Sequence, residues 1–122
     1  MSYFCRGITF IIVLMIRNND IPMVNNLREI AKKVIPIGGE VWLYGSRARG
    51  EANDNSDWDL LLLLDKDTRT NDDFERYSVP FIDYGFSLGQ VVMPHLYTKK
   101  QWKELNFSPF AKNVEHDKVV IL

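Results

Sequence analysis

Apolar side chains recur at helical spacing at Val24, Leu27, Ile30, Ala31 and Val34, while Arg28, Glu29, Lys32 and Lys33 take the opposite side. That period predicts an amphipathic helix with one face turned to a core. Pro22 suits its first turn, and Pro36 with Gly38 and Gly39 predicts its end. Residues 41–44 (VWLY) read as a short strand stopped by Gly45-Ser46, and residues 47–55 are polar and turn-rich, with room for one helical turn. Residues 58–64 read as a second strand, whose unbroken leucines at 60–64 predict burial on both faces. After a charged loop at 65–69, Thr70 and Asp73 have capping-box-like spacing, which predicts a helix carrying Phe74, Tyr77 and Phe81 inward. Pro80 is expected to kink or divide that helix, and Gly85 and Gly89 punctuate its exit. Residues 90–97 read as a third strand, placed at an edge or a bulge by Pro94. Thr98 is expected to cap a short helix around Trp102, and Ser108-Pro109 to begin another with Phe110 and Val114 on one face. The order helix, strand, strand, helix, strand, helix describes an α/β (α+β) chain, a small mixed β-sheet with helices packed on it.

A length of 122 residues, with 46% hydrophobic and 25% charged side chains, fits one compact globular domain. Fifteen basic and sixteen acidic side chains leave a net charge of −1. Proteins that grip a nucleic-acid backbone carry a surplus of Lys and Arg, so no direct DNA binding is expected. The single cysteine, Cys5, forms no internal disulfide, and no Cys/His spacing suits zinc, which points to the cytoplasm. Residues 8–16 form an apolar run behind Arg6, too short for the roughly 20 residues that span a bilayer. No small-residue cleavage pattern follows it, so neither export nor a membrane anchor is expected. Residues 1–20 are set apart as an N-terminal extension with no assigned role, since Met15 and Met23 could both initiate; residues 21–122 form the expected domain.

Candidate chemistry is concentrated between residues 45 and 59. On a strand, positions i and i+2 face the same way, so Asp57 and Asp59 would stand side by side, roughly 7 Å apart at Cα. Two anions at that distance repel unless a cation lies between them, and hard oxygen ligands favour Mg²⁺ or Mn²⁺. Isolated Asp-x-Asp pairs are also common as solvated groups, and residues 51–83, with ten acidic and three basic side chains, largely suit a solvated face. Gly45 at the end of a buried strand lets backbone approach a ligand, and the Ser46 hydroxyl can donate to a phosphate oxygen. Arg47 and Arg49 lie just beyond and could add charge-assisted contacts. Taken alone, this segment reads better as a tight turn with two surface arginines. Neither G-x-x-x-x-G-K-[ST] nor G-x-G-x-x-G occurs, nothing resembles a Ser/His/Asp arrangement, and His95 and His116 read as a strand and a surface residue.

In combination, Gly45-Ser46, ten intervening residues and Asp57-Trp58-Asp59 on an apolar strand resemble the nucleotidyltransferase signature Gly-Ser-x10-Asp-x-Asp of the polymerase-β-like superfamily. The likeness is strong over residues 24–65 and weak over 66–122. The chain looks most like a minimal nucleotidyltransferase, of the kind encoded beside a HEPN-domain partner as the antitoxin of a toxin–antitoxin pair. The resemblance implies transfer of a nucleoside monophosphate, AMP foremost, from a nucleotide triphosphate, ATP foremost, to a hydroxyl acceptor on a partner protein. It implies Asp57 and Asp59 as the catalytic, metal-binding pair for Mg²⁺ or Mn²⁺, and Gly45, Ser46, Arg47 and Arg49 as the nucleotide-binding residues. It also implies a third carboxylate on a neighbouring strand, which residues 90–97 lack. Gln90 sits near that position and cannot ionise; Asp83 is the one upstream alternative. This departure opens a second reading, a catalytically degenerate module that binds and neutralises a partner protein.

Overall fold

The computed structural model describes residues 15–122. Cys5 and most of the apolar run at 8–16 lie outside the described residues. A 3-10 turn at Asn18–Asp20 leads into α1 (Ile21–Val34), which buries Met23, Val24, Leu27 and Ala31 along the stripe expected from their spacing. Pro22 occupies the first turn, where its missing N–H has no intrahelical partner to lose. The chain continues through β1 (Glu40–Tyr44), α2 (Ser46–Arg49) and β2 (Trp58–Leu64). A widened π-type turn at Phe74–Ser78 runs into α3 (Val79–Ser87), followed by β3 (Val92–Thr98), α4 (Lys99–Glu104), α5 (Pro109–Asp117) and β4 (Val119–Val120).

The four strands lie in the order β3-β2-β1-β4. β2 pairs antiparallel with β1, setting Val41 against Leu62 and Tyr44 against Asp59. It pairs parallel with β3, setting Asp59 against Met93 and Leu61 against His95. Trp58, Leu60, Leu62 and Leu64 pack with Leu27 and Ala31 of α1 and Phe81 of α3. Leu61 and Leu63 point the other way, into a second cluster with Trp42, Trp102, Ala111 and Val114 beneath α4 and α5. Helices thus cover both faces of β2, which is why its leucines run without alternation. Pro94 sits on β3, an edge strand that needs no ladder donor on its outer side. Thr98 caps α4 with a full capping box, and the Ser108 hydroxyl accepts the Ala111 N–H at the start of α5.

Three expectations change. β4 has no counterpart in the sequence pattern; two residues, paired as Trp42 with Val120 and Leu43 with Val119, are too short to show a period. Phe74 is exposed rather than inward, because the Val79 N–H reaches back five residues to the Phe74 carbonyl, and the wider turn swings Ser78 and Phe81 to the core. Pro80 stands second in α3, within its first turn. The third strand begins at Val92 rather than at residue 90. Ile16, before the expected domain start, belongs to the core, and Asp20 is buried against Arg47. No helix among the described residues is long and apolar enough to cross a membrane.

Candidate active site

β1 delivers the chain to Gly45, whose φ of +75° lies where side-chain-bearing residues are strained. A Cβ there would stand 2.6 Å from Asp59 Oδ2, so this backbone passes directly against the carboxylate. The contact follows from register: Tyr44, the last residue of β1, is paired with Asp59. α2 then folds back at once, with the Ala48 and Arg49 N–H groups both donating to the Gly45 carbonyl at 3.1 Å. Ser46 opens this turn and is partly exposed.

Asp57 is exposed just before β2, and Asp59 is half-buried within it. Burial pushes the Asp59 carboxyl above its ordinary pKa and the Asp57 charge adds to the shift, while His95 and Arg49 oppose it. Burial, and then the Asp59 charge, also push the Tyr44 hydroxyl up. Among the described residues no ion pair engages either carboxylate. A half-buried carboxylate beside a second anion is a site whose charge a divalent cation relieves. The donor set fits Mg²⁺ or Mn²⁺, which commonly take one or two carboxylates and complete their shell with water and phosphate oxygens. Among the described residues no third acid, His or Cys joins the pair.

The two arginines part company. Arg49 is exposed and pairs with Glu51 and Asp117, close enough to Asp59 to act on its charge. It lines a cavity of about 250 Å³ with Ala48, Glu51, His116 and Asp117. Arg47, expected at the phosphate, is corrected by its surroundings: its side chain is 2% exposed and ion-paired with Asp20 at 2.9 Å. It lies over the Trp58 ring, on the face of β2 away from Asp59, beside a cavity of about 200 Å³ that also turns from the acids. Helical geometry accounts for the split, since residues two apart on a turn of α2 point to different sides.

β3 supplies no third carboxylate. Met93 stands in register with Asp59, and His95 with Leu61. Gln90 serves the far face, accepting the Trp58 indole N–H at 3.2 Å. Asp83 is exposed on α3, the helix packed across the Leu60 and Leu62 face, and cannot join Asp59. On the Asp59 face, His95, Tyr44 and Phe110 form a ring cluster with centroids 5.9–6.2 Å apart. Sequence reasoning missed this wall, because its three rings come from two strands and a helix, and Tyr44 and His95 meet only through the pairing of β2 with both β1 and β3.

A family model described as nucleotidyltransferase domain matches residues 24–121. The protein adenylyltransferase MntA of Aphanizomenon flos-aquae (strain 2012/KM1/D3) is 42% identical over 52 residues, covering 40% of this chain and 35% of that protein. The chain therefore matches about a third of that relative's length. Among solved structures, the fold is similar to a chain in a crystal structure of a toxin-antitoxin with AMP-PNP. The TM-score is 0.54 at 20% identity, over 81% of this chain and 72% of that one.

Proposed function

The chain belongs to the nucleotidyltransferase domain family, and on that premise we propose that it transfers a nucleoside monophosphate, AMP foremost, from a nucleotide triphosphate to a hydroxyl on a partner protein. The partner we expect is a HEPN-domain toxin, with this chain as the cytoplasmic antitoxin. The observation that carries this reading is the approach of the Gly45 backbone to Asp59, with Asp57 two residues away on the same strand lead. The adenylyltransferase relative supports AMP as the transferred group and a protein as acceptor.

Asp57 and Asp59 would hold Mg²⁺ or Mn²⁺. When bound, the cation offsets charge on the triphosphate and its pyrophosphate leaving group during in-line attack. The glycine turn gives the phosphate tail room that a side chain would occupy, and the Ser46 hydroxyl donates to it. Arg49, already held near Asp59, adds a charge-assisted contact from the side of α2. The test is transfer of label from ATP, with Mg²⁺, to a purified HEPN partner. Asp57→Ala and Asp59→Ala should each lower transfer by about 100-fold or more, since the lost charge stabilisation is several kcal/mol. A folded protein that neither transfers label nor binds metal-nucleotide would overturn the proposal.

One observation favours a second reading, a degenerate module that neutralises its partner by covering it. Met93 stands beside Asp59 in the sheet, and its side chain offers no oxygen. Under that reading both Asp→Ala variants keep full neutralisation; loss of neutralisation in folded variants excludes it.

A further inference from the structure

The ten residues between Ser46 and Asp57 begin with Arg47 and end with Ser56. These two ends are clamped together. Arg47 Nε and Nη2 both donate to the Ser56 carbonyl, at 3.2 and 2.8 Å, and Nη2 also reaches the Asp54 carbonyl at 3.3 Å. Arg47 is fixed in turn from behind. Its Nη1 donates to Asp20 Oδ1 at 2.9 Å, its Nη2 to Gln90 Oε1 at 3.4 Å, and its guanidinium carbon lies 4.3 Å from the Trp58 ring centroid. Arg17 holds the other side of Asp20 and reaches Asp54 as well. A buried charge with this many partners is costly to disturb, so the network is stiff.

Resting on the function proposed above, we infer that Arg47 is a positioning residue: by closing the spacer onto its own last carbonyl, it fixes Asp57 opposite the Gly45-Ser46 turn. Arg47 is adjacent to Ser46, and Ser56 to Asp57, so one guanidinium sets the distance between the two halves of the site. It acts from the back of β2, through backbone, without touching metal or nucleotide. Lysine cannot replace it, because an ammonium lacks the planar fork that meets one carbonyl twice while reaching a carboxylate and an amide.

The test is Mn²⁺ affinity in the presence of a non-hydrolysable ATP analogue, measured by calorimetry on the full chain beside its thermal midpoint. Arg47→Lys should weaken Mn²⁺ binding by about 10- to 100-fold, the range found when groups supporting a ligand are removed. Saturating Mn²⁺ should restore most of its transfer rate, so that the defect lies in apparent metal affinity rather than turnover. Val24→Ala, a truncation in the α1 core, should lower the midpoint yet leave Mn²⁺ affinity within about twofold. Should Arg47→Lys fail to fold, Asp20→Asn leaves the fork on Ser56 but loosens its far end, and a several-fold loss is expected there. Wild-type Mn²⁺ affinity in folded Arg47→Lys, or in Asp20→Asn if only that variant folds, would overturn the inference alone. Absence of Mn²⁺-nucleotide binding by the unaltered protein would overturn the proposed function and this inference with it.

Discussion

Gly45 meets two constraints at once, a left-handed backbone and a carboxylate oxygen where a Cβ would go. Gly45→Ala is therefore expected to cost about 1–2 kcal/mol from conformation alone, and to displace Asp59 as well. Urea unfolding beside Mn²⁺ titration checks both effects. Asp73 gives a second prediction at this scale. It is buried, and although burial opposes its charge, hydrogen bonds from Lys66 and Thr70 hold its pKa at about 2. A carboxyl depressed in the folded state contributes stability above its unfolded value near 4, and that contribution is lost as pH falls toward 2. Asp73→Asn should lower the unfolding free energy at pH 7, with the gap to wild type closing between about pH 4 and pH 2. The meeting of Gly45 with Asp59 was legible because its signal is spacing along one short segment. The contacts of Arg47 were not, because Asp20 and Gln90 lie 27 and 43 residues from it.

The two helices announced by capping residues Thr98 and Ser108 stand where the sequence puts them. Thr98 and Gln101 exchange both bonds of a capping box, at 3.0 Å each, and launch α4 directly from the end of β3. Thr98→Ala should cost about 1 kcal/mol, read as a shift in the urea midpoint with an unchanged slope. Pro80 falls in the first turn of α3, just after the π-type turn. The width of that turn was illegible, since a single added residue per turn leaves no mark on the spacing and only reassigns which of Phe74, Ser78 and Phe81 faces inward. β4 escaped for the opposite reason: it exists through pairing with β1, and its own two valines carry no period.

For the whole molecule, the mixed sheet with helices on it follows from the order of elements, while strand order and the allocation of helices to faces depend on contacts between distant segments. The leucine run of β2 is the common floor of both packed layers. Leu61→Ala and Leu62→Ala, though on opposite faces, should each cost about 2–5 kcal/mol, whereas exposed Leu88→Ala should change little. Denaturant unfolding of the three variants measures the contrast. Trp58, meanwhile, lies between the two acids in sequence, with its indole buried against Arg47 and Gln90 on the reverse side. On the proposed function, light emitted by that indole becomes a gauge of cation arrival. In a chain with Trp42 and Trp102 changed to Phe, Mn²⁺ and nucleotide should alter its fluorescence without either ever meeting the ring.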